Sequence, residues 1–282
     1  MSARPRARLL RVLRIAQRTA QMRRITVGGP ELDGFPVGSE GAHIKLLLPA
    51  AAGQAPALPT FGEHGPVWPP GAVRPAVRTY TVARIDPAAG ELDIDIVLHG
   101  DDGPASRWAA AARPGDALGV AGPGGPALFR AEAARHVLVG DPSSYALICA
   151  VIAHLPAQAR IDALLEAPDA GEIQPLPTHP RLQARWFSRD GAPAGASRRL
   201  LEAVRELPWH DGETVSATLA GESAQVVAIR DFLARERGVA RAMMYAVPYW
   251  KHRWDEERYH DERHRIMDEF EAQADALQDA PA

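Results

Sequence analysis

The stretch Glu91-Leu92-Asp93-Ile94-Asp95-Ile96-Val97-Leu98 places an apolar side chain at every second position. In an extended chain Leu92, Ile94, Ile96 and Leu98 share one face, and Asp93 and Asp95 the other. That is the pattern of a half-buried antiparallel strand. The preceding Asp86-Pro87-Ala88-Ala89-Gly90 has the residues of a hairpin turn. Outward from it the same short alternation recurs at Met22 to Val27, Ala42 to Leu48, Arg78 to Arg84 and Ala117 to Ala121. Leu9 to Ile15 alternates with arginine in the same way. Five or six such strands with Pro- and Gly-rich connections predict a closed antiparallel β-barrel over residues 1–130. Pro49 to Pro75, dense in Pro, Gly and Ala, reads as a long surface loop.

Beyond residue 130 strands alternate with helices. His136-Val137-Leu138-Val139-Gly140 is a short apolar strand, followed by Asp141-Pro142-Ser143-Ser144 and an apolar helical run from Tyr145 to Leu155. Further strands fit Ala184 to Phe187, Thr214 to Ala220 and Arg241 to Val247, with helices over Ser197 to Leu207 and Ser223 to Arg237. The strand due after Gln158 shows only Ile161, Leu164 and Leu165, with acids between them. The pattern predicts an α/β nucleotide-binding domain with a parallel sheet over 131–282, its ligands meeting the carboxyl ends of the strands. Its tail, Trp254 to Asp279, is charged and helical, with Met267, Phe270 and Leu277 at helical spacing.

The chain has 282 residues, 46% of them hydrophobic, and a net charge of -3, which argues against nucleic acid as partner. Its single cysteine, Cys149, reads as a buried thiol and rules out an internal disulfide or a thiolate metal site. The first twenty-four residues carry eight arginines and no acid, as a transit peptide would. They lack the apolar run of a signal peptide, and they read better as a strand with charged flanks. No stretch is long and apolar enough to span a membrane, so a cytoplasmic protein is expected. Of 32 basic residues only Lys45 and Lys251 are lysine.

Two constellations suggest chemistry. On a strand, Arg78 and Tyr80 of Arg78-Thr79-Tyr80-Thr81 face one way and Thr79 and Thr81 the other. A guanidinium and a ring two residues apart suit a ligand with a phosphate and a flat ring system, with Thr81 offering a hydroxyl and an N–H. They equally suit an exposed barrel surface. The second is His99-Gly100-Asp101-Asp102-Gly103-Pro104-Ala105-Ser106-Arg107-Trp108. Here a strand ends, glycines turn the chain, and Pro104 starts a helix. The backbone N–H groups of its first turn and the Ser106 hydroxyl form an anion site, or simply a capped helix. Arg113-Pro114-Gly115-Asp116 and Gly122-Pro123-Gly124-Gly125 read as turns, the latter without the Lys-Ser/Thr of a phosphate loop.

Taken in order, these motifs resemble the siderophore-interacting proteins, FAD-dependent ferric-siderophore reductases of the ferredoxin–NADP reductase fold. The likeness continues in Leu138-Val139-Gly140-Asp141, in Ala220-Gly221-Glu222-Ser223 ahead of Ile229-Arg230, and in Tyr249-Trp250. At the front, Arg23-Arg24-Ile25-Thr26 and His43-Ile44-Lys45-Leu46 are similar to the family's barrel strands. The resemblance implies that the barrel holds FAD, with Arg78 on the pyrophosphate, Tyr80 against the isoalloxazine and Thr81 near the flavin N5. His99, Gly103, Ala105 and Ser106 would complete those contacts. Gly140, Asp141, Gly221 and Glu222 would present NADH or NADPH. A ferric siderophore would dock on cations, of which Lys251 and Arg253 follow Trp250. Electron transfer through a flavin needs no catalytic side chain and no protein-bound metal. A monomer is expected.

The chain departs from the family at two places. The arginine usual after Tyr-Thr-x is replaced by Ala83, with Arg84 one position on and facing the other way. The usual Gly-Asp-Glu-Thr-Ala is Gly140-Asp141-Pro142-Ser143-Ser144. Pro142 suits a helix start, and the serine hydroxyls stand in for the threonine. Arginines 181, 185, 189, 198 and 199 are candidates for a 2′-phosphate. His260 and His264 share a helix face among charges of both signs, a solvated face rather than a zinc site. The rival functions are a general flavin reductase, an oxygenase reductase component, and a siderophore-binding protein without turnover.

Overall fold

The structure, a computed structural model, describes residues 6–63, 65–99, 103–254 and 256–278, with side chains left aside for 256–257 and 271–278. Gly100, Asp101 and Asp102 of the second constellation and Asp279 of the tail lie outside the described residues, as does the Leu277 side chain. The chain divides between Gly125 and Pro126 into two compact units.

The first unit runs β1 (Ala7–Thr19), β2 (Met22–Gly28), β3 (His43–Leu48), β4 (Thr60–Gly62), β5 (Gly65–Val67), β6 (Ala76–Asp86), β7 (Glu91–Val97), helix α1 (Pro104–Ala111) and β8 (Ala117–Gly124). Six of these strands close an antiparallel barrel in the order β1-β2-β7-β6-β3-β8. The alternation of β7 is realised as read, since Leu92, Ile94 and Ile96 are fully buried in the barrel core. Ala105, Ala109 and Ala112 bring α1 and its C-terminal end onto the same core. The loop from Pro49 to Pro75 carries a small hairpin of its own, β4 with β5. Gly122-Pro123-Gly124, expected as a turn, instead ends β8.

The opposite face of β7 is not left to water. Asp93 is 3% exposed. Arg84 donates to Asp93 at 2.8 Å, Asp86 at 2.9 Å and Glu91 at 2.7 Å. Arg24 grips Asp95 with two hydrogen bonds of 2.8 and 2.7 Å, Thr26 donates to Asp93 at 2.6 Å, and Arg14 pairs with Glu91. A buried carboxylate survives only with such partners, and cross-strand pairs of opposite charge each stabilise a sheet by about 0.2–1 kcal/mol.

The second unit runs β9 (Arg135–Gly140), α2 (Tyr145–His154), β10 (Arg160–Ala167), β11 (Leu182–Ser188), α3 (Arg199–Arg205), β12 (Val215–Glu222), α4 (Ser223–Glu236), β13 (Met244–Trp250) and α5 (Glu256–Gln278). The sheet is parallel throughout, in the order β11-β10-β9-β12-β13. Helices cover both faces, so β9 is apolar on each: Val137 and Val139 pack with α3 and α4, and Leu138 with α2. The sparse strand after Gln158 is β10. Its acids are buried, Asp162 and Glu166 each 2% exposed. Asp162 accepts from the fully buried Arg135 at 2.7 Å, and Arg135 also donates to the Pro208 carbonyl at 2.6 Å. Tyr259 and Phe270 seat α5, with the guanidiniums of Arg230 and Arg241 4.5 and 4.3 Å from the Phe270 ring. No helix among the described residues is long and apolar enough to cross a membrane.

Two outcomes follow for stability. Asp162→Asn strands the buried Arg135 charge and is expected to lower the unfolding free energy of the second unit by about 3 kcal/mol in denaturant titrations. A loss within error of zero would mean that Pro208 and Glu213 suffice. In the barrel, hydrogen bonds from Arg14 and Arg84 hold the Glu91 carboxyl down at about 2. A depressed carboxylate contributes stability above its unfolded value of about 4.3 and loses it as pH falls toward its folded one. Thermal melts between those limits are expected to fall less steeply in Glu91→Gln than in the wild type, and equal slopes would contradict the pairing.

Candidate functional site

In the first unit the β3–β6 register places Arg78 opposite Leu46 and Tyr80 opposite Ile44. Both therefore share the face that carries the barrel core, where Tyr80 is half-buried against it. Arg78 stands beside Tyr80, half-buried, and donates to the Val77 carbonyl at 2.9 Å. Thr79 and Thr81 point the other way, onto the face of Lys45 and His43, and Lys45 donates to the Thr79 hydroxyl at 2.6 Å. Thr81, 6% exposed, does not share a side-chain face with Tyr80; only its backbone lies on the shared strand. His43 is a neighbour that sequence reasoning missed. It faces Thr81 across the register and closes on Gly125, where a Cβ would lie 2.9 Å from its ring nitrogen. Burial, and secondarily Lys45, pushes the His43 imidazole below its usual range.

Where β7 ends, the His99 N–H donates to the Ser106 hydroxyl at 3.1 Å. The His99 ring lies over Gly103, where a Cβ would sit 2.9 Å from it. His99, Gly103 and Ser106 are thus brought together at the start of α1. That start has Pro104 in its first turn and no side-chain cap from Gly103. Leu98 and Trp108 pack on the same core as Tyr80. The donor set, a half-buried guanidinium beside a half-buried ring together with a helix start uncapped by a side chain, fits a cofactor of one pyrophosphate and one flat heterocycle. Arg84, spent on three carboxylates, takes no part.

In the second unit the strand order reverses between β9 and β12, and the four expected residues meet there. The buried Asp141 carboxylate accepts four hydrogen bonds. Ser143 gives its N–H at 2.8 Å and its hydroxyl at 2.5 Å, the Glu222 N–H lies at 2.9 Å, and the Trp250 indole N–H at 2.8 Å. Burial pushes the Asp141 carboxyl up, and the donors oppose that rise. Ser144 accepts from the Asp141 N–H and returns its own hydroxyl to the Asp141 carbonyl, each at 3.0 Å. Both serine hydroxyls therefore turn inward, and the loop is a closed capping box with Pro142 in its first turn. Glu222 caps α4, accepting from Ala224 at 2.8 Å and Gln225 at 3.3 Å. Gly221, at φ 137°, has no space for a Cβ, which would lie 2.6 Å from an Asp141 oxygen.

The cations weighed for phosphate and substrate are largely engaged. Arg181, Arg185 and Arg199 donate to backbone carbonyls, and Arg189 lies 3.4 Å from Glu166; Arg198 is exposed. Lys251 stands 4.1 Å over the Trp254 ring and 3.5 Å from Glu262. Arg253 is exposed and held at φ 64°. The rings of His260 and His264 stack edge to face, 4.5 Å apart.

Comparison with known proteins agrees with both units. Residues 11–127 match the model of the siderophore-interacting FAD-binding domain, and residues 133–253 that of the siderophore-interacting protein. The ferric vibriobactin reductase ViuB of Vibrio cholerae is 37% identical over 263 residues, which covers 93% of this chain and 96% of that one. The NADPH-dependent ferric-chelate reductase of Escherichia coli K12 is 37% identical over 188 residues, 66% of this chain and 72% of that one. The crystal structure of the siderophore-interacting protein SipS from Aeromonas hydrophila aligns with a TM-score of 0.79 at 38% identity, covering 93% of this chain and 98% of that one. Identity of more than a third over nearly the whole length, with the fold to match, makes this chain a member of the siderophore-interacting protein family.

Proposed function

We propose that the protein is a cytoplasmic, monomeric flavoenzyme that takes electrons from NADH or NADPH and, with FAD as its cofactor, reduces the iron of a ferric siderophore so that it is released. The observation that carries this reading is the pair Arg78 and Tyr80 on one face of β6, in the unit that also holds the uncapped start of α1. The names of its relatives, a ferric vibriobactin reductase and a ferric-chelate reductase, support the same chemistry.

In this reading Arg78 holds a phosphate with its planar fork, and Tyr80 supplies a ring against which the isoalloxazine lies. The Thr81 backbone, His99, Gly103, Ala105 and Ser106 complete the pocket. Bound FAD supplies the means of taking an electron pair from a hydride donor and passing electrons on singly. The donor side is the β9/β12 crevice. Every oxygen of Asp141 and Glu222 is already used, so these two residues, with Gly140 and Gly221 packed against them, shape the crevice that a donor enters. Arg253 and Lys251 give an anionic chelate a cationic seat. Ferrous iron, less charged and softer than ferric, is held less tightly by hard oxygen ligands.

Purified protein is expected to be yellow, to release FAD on denaturation, to bleach under NADH or NADPH without oxygen, and to recolour on adding a ferric chelate. Arg78→Ala is expected to weaken FAD binding by about ten- to a hundred-fold, the worth of a charge-assisted hydrogen bond, as read by flavin titration. Protein that takes up no added FAD would refute the reading. Faster turnover of free flavin than of ferric chelate would make it a general flavin reductase instead.

A further inference from the structure

We infer that Asp141 and Glu222 are positioning residues, which anchor the turn Lys251–Trp254 to the middle of the sheet and so fix where its cations stand. The inference rests on the proposed reading that this turn meets an anionic ferric chelate. Its geometry is independent of that reading.

The turn leaves β13 and belongs to no helix or strand. Three hydrogen bonds tie down its backbone and the indole that precedes it. The Trp250 indole N–H reaches the Asp141 carboxylate at 2.8 Å. The His252 N–H reaches the other oxygen of Glu222, the one not used in capping α4, at 3.3 Å. The Trp254 N–H closes the turn on the Lys251 carbonyl at 3.1 Å. The first contact depends on an irregularity in the sheet. Gly221 pairs with Pro248, yet Glu222 pairs with Trp250, so Tyr249 is the extra residue of a bulge. A bulge re-aims the side chains that follow it, and here the indole is turned back toward Asp141.

Just past the second anchor the chain is held in a costly shape. Arg253 adopts φ 64°, a left-handed conformation that a residue with a Cβ keeps only where its surroundings impose it. The two cations have different fates. Lys251 is drawn onto Trp254 and Glu262. Arg253 is exposed and has no partner among the described residues. Its guanidinium is the less engaged of the two charges, and the anchors decide its place. Asp141 and Glu222 are fit for this because their remaining contacts, to Ser143, the Glu222 N–H, Ala224 and Gln225, belong to the loop after β9 and to the β12–α4 junction. The turn is thus referenced to the centre of the unit as well as to its own strand.

Trp250→Phe tests this in the full-length, FAD-loaded protein, because it keeps an aromatic ring and removes the N–H donor. Two readouts are needed. Limited trypsin cleavage after Lys251 and Arg253 is expected to become about ten-fold faster, with cleavage elsewhere unchanged. The KM for the trianionic complex of iron(III) with three catecholates is expected to rise by about three- to ten-fold, while kcat and the KM for neutral iron(III) tris(acetohydroxamate) stay as in the wild type. Unchanged cleavage overturns the anchoring, whatever the kinetics. Faster cleavage with an equal KM rise for both complexes overturns the placing of charge and leaves general loosening. Failure of the wild type to reduce either complex strikes the proposed function, and the cleavage result still judges the anchor.

Discussion

One buried carboxylate organises the second unit. Taking an aspartate out of water is costly unless its oxygens are fully hydrogen-bonded, and Asp141 meets that demand with donors from positions 143, 222 and 250. The ends of β9, β12 and β13 are therefore not free to choose their residues. Glycine stands at 221 because a Cβ would strike the carboxylate, and at 140 because it would strike the Ser144 hydroxyl. Serine stands at 143 and 144 because their hydroxyls complete the box. In this loop Pro142 sets the helical turn and the two serine hydroxyls take the inward positions.

Much of this was readable in the sequence where a pattern repeats at short range. The barrel followed from the period-two alternation of Glu91 to Leu98 and its weaker copies. The shared face of Arg78 and Tyr80 followed from their spacing. The acids of β10 misled, because a charge in a periodic pattern marks solvent unless a partner arrives from elsewhere. Arg135 is such a partner for Asp162, and Ser197, Gln225 and Arg189 for Glu166. Burial pushes the Glu166 carboxyl up, the mark of an acid kept dry by design. His43 was hidden for a related reason. Its closeness to Thr81 depends on how β3 and β6 align, and spacing within one strand carries no information on that.

The excess of arginine, whatever its origin in composition, is put to structural use. Arg14, Arg24 and Arg84 neutralise the acid face of β7, and Arg230 and Arg241 bracket Phe270. Each task uses the flat, forked guanidinium, which binds two acceptors at once or lies on a ring, and a lysine ammonium does neither as well. Many arginines remain exposed, and among these Arg253 is set apart by its left-handed backbone.

The barrel closes on a seam between its first strand and its last: β1 pairs with β8, Ala7 opposite Ala121. A growing chain must therefore extend through β8 before its opening strand finds the second of its two neighbours. Until then β1 and β3 each carry an open hydrogen-bonding edge and the barrel's apolar lining is unsealed, the condition in which nascent β-proteins associate with one another. For this protein the hazardous interval of biosynthesis ends with the arrival of the Gly-rich segment that seals the seam.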